Sequence, residues 1–244
     1  MGIRGLSTPG GGTRPLMIAH RCGAGLGPEN TCAAMVQSSF YRPDYYEVDI
    51  RHTADGVPVC LHDETVDRTT DLSGRVDGLN LVELAAADAG SWISSTYRGE
   101  PVPTLERMLE CANPSPLAIE LKEIDISQER CSAIARLLAL AEDSSSVVLS
   151  FNPSALETYR AADPRRRTGY LTTALDEYAL SGAHEIVGLS HRACRAETVK
   201  RIHDAGKAVW VWTVNDRFER FMAMEVDAIV TDYPDRLRKA LPPS

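Results

Sequence analysis

Along most of the chain, short apolar runs alternate with stretches of helical period. Leu16 to His20 reads as a first strand, followed by a Gly/Pro-rich turn and a helix from about Thr31 with Asn30 as its N-cap. Tyr45 to Ile50 is the second strand, and the turn Ala54-Asp55-Gly56 leads into an extended piece, Val57 to His62. Residues 63–103 are polar, Thr-rich and without sustained period. A helix from about Leu105 precedes a third strand, Leu117 to Lys122. Strands at 146–150, 168–171, 185–189, 208–213 and 227–231 then alternate with helices at 128–142, after Pro153, at 175–180, 195–205 and 216–224. Gly206 supplies a C-cap signal. Eight strands alternating with helices predict α/β architecture with a parallel sheet. Eight units in about 240 residues suit a closed (β/α)8 TIM barrel, with an open doubly wound sheet as the alternative. The expected organisation is a flexible leader over 1–14 and one barrel domain over 15–240, with a small insertion, about 63–103, after the second strand.

Composition narrows the class without changing that picture. The chain has 244 residues, 43% hydrophobic and 25% charged, as in ordinary globular proteins. A chain of this length buries about 70% of its unfolded surface and needs no disulfide to hold a core. Apolar runs of roughly 18 residues are absent, so no stable membrane insertion is expected. The net charge of −8 argues against a nucleic-acid partner. Six cysteines without a C-x-x-C pair read as buried, reduced thiols, and the N-terminus lacks the apolar stretch of a signal peptide, so a cytoplasmic location is expected. The oligomeric state is not legible.

The chemistry is announced by charges where strands should be apolar. Parallel strands are covered on both faces, yet the second carries Glu47 and Asp49, the third Glu120 and Lys122, and the first ends in His20-Arg21. Residues i and i+2 of a strand share a face. Each pair therefore projects together, near the C-terminal strand ends where barrel active sites are built. Burying such charges costs several kcal/mol each unless they are paired or bind a metal. Three converging carboxylates, Glu47, Asp49 and Glu120, without Cys or an H-x-H pair favour one hard divalent ion, Mg²⁺ or Ca²⁺, with Mn²⁺ also suitable. Lys122 and Arg21 would then make the site net positive and attract an anion. His20 and His62 both end extended segments and suggest a general acid and a general base. A purely structural ion network is the competing reading.

Other features carry less. His52, His184, His191 and His203 are expected in loops or helices in surface or structural roles. Gly23-Ala24-Gly25-Leu26-Gly27 resembles a dinucleotide-binding turn, but the third glycine of that pattern would fall on Pro28. Arg165-Arg166-Arg167 precedes a strand, which places it at the barrel bottom as a solvated loop. Trp210 and Trp212 share a face, for which core packing is the competing reading; Trp212 lies nearer the mouth and is a candidate to line a substrate pocket.

Taken in order, the motifs resemble those of the glycerophosphodiester phosphodiesterase family. His20-Arg21 with Pro28-Glu29-Asn30-Thr31, Glu47-Val48-Asp49 with Thr53-Ala54-Asp55-Gly56 and His62-Asp63, and Ile119-Glu120-Leu121-Lys122 resemble its first three blocks. Arg68-Thr69-Thr70 and Pro103-Thr104-Leu105 resemble the edges of its inserted subdomain. Trp212-Thr213-Val214-Asn215 and Thr231-Asp232-Tyr233-Pro234 resemble its last strand ends. The chain departs from the family in placing Cys22 before Gly23 and in a glycine-enlarged turn. The resemblance implies a TIM barrel that cleaves glycerophosphodiesters to sn-glycerol 3-phosphate and an alcohol. Glu47, Asp49 and Glu120 would bind the ion, His20 and His62 would be the acid–base pair, and Arg21 and Lys122 would hold the phosphate, with Lys122 also in the catalytic set. Water and the glycerol 2-hydroxyl both remain open as nucleophile; His20 is taken as base and His62 as acid. A lysophospholipase D or sphingomyelinase D-like barrel, with an apolar track from Trp92, Ile93 or Tyr97, and a non-catalytic relative are the alternatives.

Overall fold

The computed structural model describes residues 14–142 and 145–242. Residues 1–13 of the expected leader lie outside the described residues; Arg14, its last member, is paired with Asp44 at 2.8 Å. The strands are β1 (Leu16–Ala19), β2 (Tyr45–His52), β3 (Pro58–Cys60), β4 (Leu117–Leu121), β5 (Val147–Ser150), β6 (Thr168–Thr172), β7 (Ile186–Ser190), β8 (Ala208–Trp212) and β9 (Ala228–Thr231). The sheet order is β1-β9-β8-β7-β6-β5-β4-β2, and β1 pairs with β2 to close the ring. All ring pairings are parallel, whereas β3 runs antiparallel on the end of β2. The extended piece after the second strand is therefore a flap on the barrel rim. The described fold is the expected (β/α)8 barrel.

Helices α1 (Cys32–Ser39), α2 (Leu81–Leu84), α3 (Leu105–Ala112), α4 (Gln128–Leu140), α5 (Pro153–Ala162), α6 (Glu177–Ser181), α7 (Ala196–Asp204), α8 (Phe218–Met222) and α9 (Pro234–Ala240) complete the chain. Their starts follow from local chemistry. Thr104, Ser127, Asn152 and Asp176 each accept a first-turn backbone N–H through the side chain. Two large apolar clusters fill the space between ring and helices. A third, including Ile18, Tyr45, Ala118, Leu149, Leu171, Trp210, Ala228 and Val230, fills the barrel interior.

Strand alternation then positions the site. Tyr45, Glu47 and Asp49 share one parity, as do Ala118 and Glu120, Ile18 and His20, and Ala228, Val230 and Asp232. The apolar member of each set sits low in the barrel and the charged member sits at the mouth. Lys122 keeps this relation because its backbone N–H still donates to Ile50 O at 3.2 Å, one residue past β4. Gly188 leaves room inside the ring: a Cβ there would collide with the Leu171 side chain.

The 63–103 excursion leaves after β3 and returns before α3. It is pinned at its base by the Cys60 N–H donating to Pro103 O at 2.9 Å, and holds its own small core of Val66, Val76, Leu84, Ala87, Ala89 and Val102.

Four expectations are corrected. Thr31, not Asn30, caps α1, accepting from the Ala34 N–H at 3.2 Å; Asn30 is used elsewhere, as shown below. His52 lies on the last residue of β2 rather than in a loop, because the antiparallel pairing with β3 extends that strand to 52. Cys32 and Cys111 are joined in a disulfide between α1 and α3, which pack side by side, whereas Cys22, Cys60, Cys131 and Cys194 are free and buried. Trp210 is fully buried against Tyr45 inside the ring, with ring centroids 5.4 Å apart. Arg166 pairs with Asp163 at 3.2 Å and is mostly buried, so the arginine run is anchored more firmly than a solvated loop.

Candidate active site

The β2–β4 register sets Asp49 directly beside Glu120, with Glu47 two residues lower. One carboxylate oxygen from each of the three lies within 4.8 Å of the others, and all three side chains are buried. Glu47 Oε1 has no hydrogen-bond partner, and neither does Asp49 Oδ1, which lies 3.4 Å from the Lys122 ammonium. Lys122 Nζ also donates to Glu120 Oε1 at 2.6 Å.

Burial pushes the Glu47 carboxyl up to about 8, reinforced by the negative charge of Asp49. Glu120 is raised for the same two reasons. Burial also opposes charge on Asp49, but Lys122 and Arg21 outweigh it and hold Asp49 below the ordinary range. The set thus has more negative charge than its protein cations balance. Oxygen-only donors, unpartnered buried lone pairs and this deficit fit a hard divalent cation.

The turn after β1 supplies the next groups. Arg21, Cys22 and Gly23 all have positive φ (48°, 65° and 97°). This left-handed run, unusual for non-glycine residues, turns the Arg21 N–H onto Glu47 Oε2 at 2.7 Å. It also brings Arg21 Nε to 3.3 Å from Asp49 Oδ2. Cys22, the departure noted in the sequence, is fully buried with its Sγ against Met108, so the enlarged turn is packed. Asn30, also left-handed (φ 59°), clamps Asp49 from both sides. Its Nδ2 donates to Asp49 Oδ2 at 2.8 Å and its Oδ1 accepts the Asp49 N–H at 3.1 Å.

Each of the two candidate histidines is held by an aspartate. His20 Nδ1 lies 2.6 Å from Asp232 Oδ1, and Asn215 Nδ2 donates to Asp232 Oδ2 at 2.6 Å. His62 Nδ1 lies 2.7 Å from Asp63 Oδ1, whose carboxylate is also gripped by Arg68. In both rings Nε2 is left for the cavity, the arrangement a proton-transferring imidazole needs. Burial disfavours charge on His20, but Asp232 and Glu47 outweigh it and its pKa is raised. On His62 burial prevails over Asp49 and Asp63, and its pKa is lowered.

These groups line one cavity of about 150 Å³. His20, Arg21, Glu47, His62, Glu120 and Lys122 form its charged wall, while Leu149, Phe151, Leu171, Trp210, Trp212 and Val230 form the apolar one. Asp49 sits immediately behind the charged wall. Every site residue expected from the sequence is thus brought to one place, including Trp212, whose indole donates to Gly188 O at 2.9 Å and packs edge-on against Phe151. Trp92, Ile93 and Tyr97 do not line this cavity. Sequence reasoning missed the roles of Asp63, Asp232, Asn215 and Asn30. All four lie inside the quoted motifs, but only the fold shows which partner each one faces.

The comparisons with known proteins agree with this geometry. The sequence profile described as the glycerophosphoryl diester phosphodiesterase family matches residues 20–236. YhdW of Bacillus subtilis, whose own assignment to these enzymes is provisional, is 34% identical over 238 residues, covering 91% of this chain and 96% of that protein. A glycerophosphodiester phosphodiesterase of Caldanaerobacter subterraneus is 30% identical over 235 residues, covering 92% and 96%. A phosphodiesterase of Oleispira antarctica, solved in complex with the product sn-glycerol-3-phosphate, superposes with a TM-score of 0.88 at 30% identity, covering 93% and 96%. With the barrel closed, the charged wall assembled and the match running from His20 to Arg236, the chain belongs to the glycerophosphoryl diester phosphodiesterase family.

Proposed function

We propose that this chain hydrolyses glycerophosphodiesters to sn-glycerol 3-phosphate and an alcohol, and that residues 15–240 form its one catalytic domain. The observation that carries the reading is the pair of aspartate-held histidines facing three buried carboxylates, with Arg21 and Lys122 between them. Glu47, Asp49 and Glu120 hold one divalent ion, Mg²⁺ or Ca²⁺. When bound, that ion supplies Lewis-acid polarisation of the phosphodiester.

The chain's own residues do the rest. Arg21 and Lys122 bind the non-bridging phosphate oxygens and neutralise charge building on them. The apolar wall around Trp212 packs against the carbon skeleton and excludes water. One histidine takes the proton of the nucleophile as the new P–O bond forms. The other donates its proton to the departing alkoxide as the old P–O bond breaks. The charge surroundings favour the reverse of the sequence-based order. Burial lowers the His62 pKa, which suits a base. Burial opposes charge on His20 too, but Asp232, whose carboxylate is otherwise hydrogen-bonded only by the neutral Asn215 amide, helps to raise its pKa, which suits an acid. A cyclic phosphate trapped in rapid-quench experiments would identify the glycerol 2-hydroxyl as nucleophile; its absence, with solvent oxygen in the first product, would identify water.

The test is release of glycerol 3-phosphate from a panel of glycerophosphodiesters, with Mg²⁺, Ca²⁺ and Mn²⁺ in turn and with excess chelator. Activity is expected with at least one ion and none with chelator; full activity in chelator would remove the ion from the scheme. No helix among the described residues is long and apolar enough to cross a membrane. The cytoplasmic placement expected from the sequence rested in part on six reduced thiols, and the Cys32–Cys111 bond removes that part of its support.

A further inference from the structure

Arg68 lies outside the catalytic cavity, with its side chain 44% exposed, and the hydrolytic scheme gives it no contact with the substrate. Its guanidinium nevertheless sits between two carboxylates that each carry a second partner. Nε and Nη2 donate to Asp63 Oδ2 at 2.6 Å and Oδ1 at 3.2 Å. Nη1 and Nη2 donate to Glu29 Oε2 at 2.9 Å and Oε1 at 2.8 Å. Asp63 Oδ1 is the oxygen that holds His62 Nδ1. Glu29 Oε1 is the oxygen that accepts Arg21 Nη1, at 2.8 Å. A continuous chain therefore runs from His62 through Asp63, Arg68 and Glu29 to Arg21.

The presenting turn is itself fixed. Thr70 donates through its backbone N–H and its hydroxyl to Val66 O, at 3.0 and 2.9 Å, and Val66 is fully buried in the core of the 63–103 excursion. Glu29 is nearly buried, so its charge depends on Arg21 and Arg68 for compensation. Without Arg68, the two carboxylates would stand close together on this wall of the cavity with nothing between them. Only a planar guanidinium can engage two carboxylates in forked geometry at once; an ammonium cannot.

We propose that Arg68 is a positioning residue: it sets the placement of the His62 imidazole relative to the Arg21 guanidinium, which makes the inserted segment part of the catalytic apparatus. This rests on the roles given above to His62 and Arg21. The Arg68-Thr69-Thr70 motif thereby gains a physical purpose, since the arginine supplies the fork and Thr70 fixes the turn that carries it.

The experiment uses the full chain with saturating metal and glycerophosphocholine as substrate, comparing Arg68→Lys, Arg68→Ala, His62→Ala and the double variant His62→Ala/Arg68→Lys. Arg68→Lys keeps charge and length but loses the fork. It is expected to lower kcat about 10- to 100-fold while the thermal midpoint stays near wild type. Millimolar guanidinium is expected to restore part of the activity of Arg68→Ala. In the double variant, the kcat loss caused by Arg68→Lys should be much smaller than in the wild-type background, because most of it passes through the imidazole, while KM still rises through Arg21. Wild-type kcat and KM in Arg68→Lys would overturn the proposal, as would a kcat loss that multiplies undiminished onto His62→Ala. A fully active His62→Ala would instead overturn the reading of the site, so the two failures are distinguishable.

Discussion

At the scale of single residues, the site is governed by how each charge is compensated. His20 and His62 both have Nδ1 engaged by an aspartate, and under the proposed function replacing either with alanine removes a proton path. His20→Ala and His62→Ala should each lower kcat at least about 100-fold, measured as glycerol 3-phosphate release; near-normal turnover in either variant would sink its assignment. The shifts also set a pH profile. With His62 as the proposed base, burial lowers its pKa and the ascending limb of kcat/KM falls below about 6.5; with His20 as the proposed acid, Asp232 helps to outweigh burial and the descending limb falls above it. A broad plateau spanning neutral pH is therefore expected; a narrow optimum below 6 would contradict it. Glu47 gives a second, independent readout. In the metal-free chain burial keeps it protonated up to about 8, against 4.5 for an exposed carboxyl. A folded pKa above the unfolded value means that the protonated form contributes stability at low pH and that this contribution is lost as pH rises through about 8. Binding a cation at pH 7 must displace that proton. Calorimetric titration with Mg²⁺ or Ca²⁺ in buffers of different ionisation enthalpy should show close to one proton released and affinity that rises towards pH 8. Equal apparent enthalpies in every buffer would refute it.

At the scale of elements, the loop that carries Glu29 and Asn30 leads directly into α1, and α1 is stapled to α3 through Cys32 and Cys111. The bond closes a separation of 79 residues, for which chain entropy suggests a contribution of about 4 kcal/mol. Cys32→Ser/Cys111→Ser should lower the denaturant midpoint accordingly, and wild type under reducing conditions should match it. Thiol titration of the unfolded, unreduced chain should find the four free cysteines; six would refute the bond. This pairing was hidden in the sequence because cysteine spacing carries no information about which helices become neighbours. The element types were much easier to read. Strands β4 to β9 and helices α4 to α8 lie within a few residues of their expected positions, because β-branched runs and helix-capping side chains are local signals. Asn30 shows where local reading fails. It has the chemistry of an N-cap, yet the fold gives that task to Thr31 and turns Asn30 onto Asp49, a residue of the neighbouring strand.

At the scale of the whole molecule, closure of the ring is what makes a site from scattered charges. The net charge of −8 repels an anionic substrate at long range, so under the proposed function recognition rests on Arg21, Lys122 and a cation at short range. Raising ionic strength from about 0.05 to 0.5 M should leave kcat/KM within roughly threefold; a steep fall would reveal electrostatic steering that the charge distribution does not provide. By itself the sequence determined the strand–helix alternation, the parity that pairs Glu47 with Asp49 and Glu120 with Lys122, and a set of carboxylates suited to a hard cation beside two histidines, an arginine and a lysine. Those follow from period and side-chain chemistry, which are properties of neighbours along the chain. The tertiary structure alone decided that Asp232 holds His20, that Asp63 and Arg68 hold His62, that Cys32 meets Cys111, and that Phe151 faces Trp212. Those contacts join residues from different strands and loops, and only the closing of the barrel brings them within reach of one another.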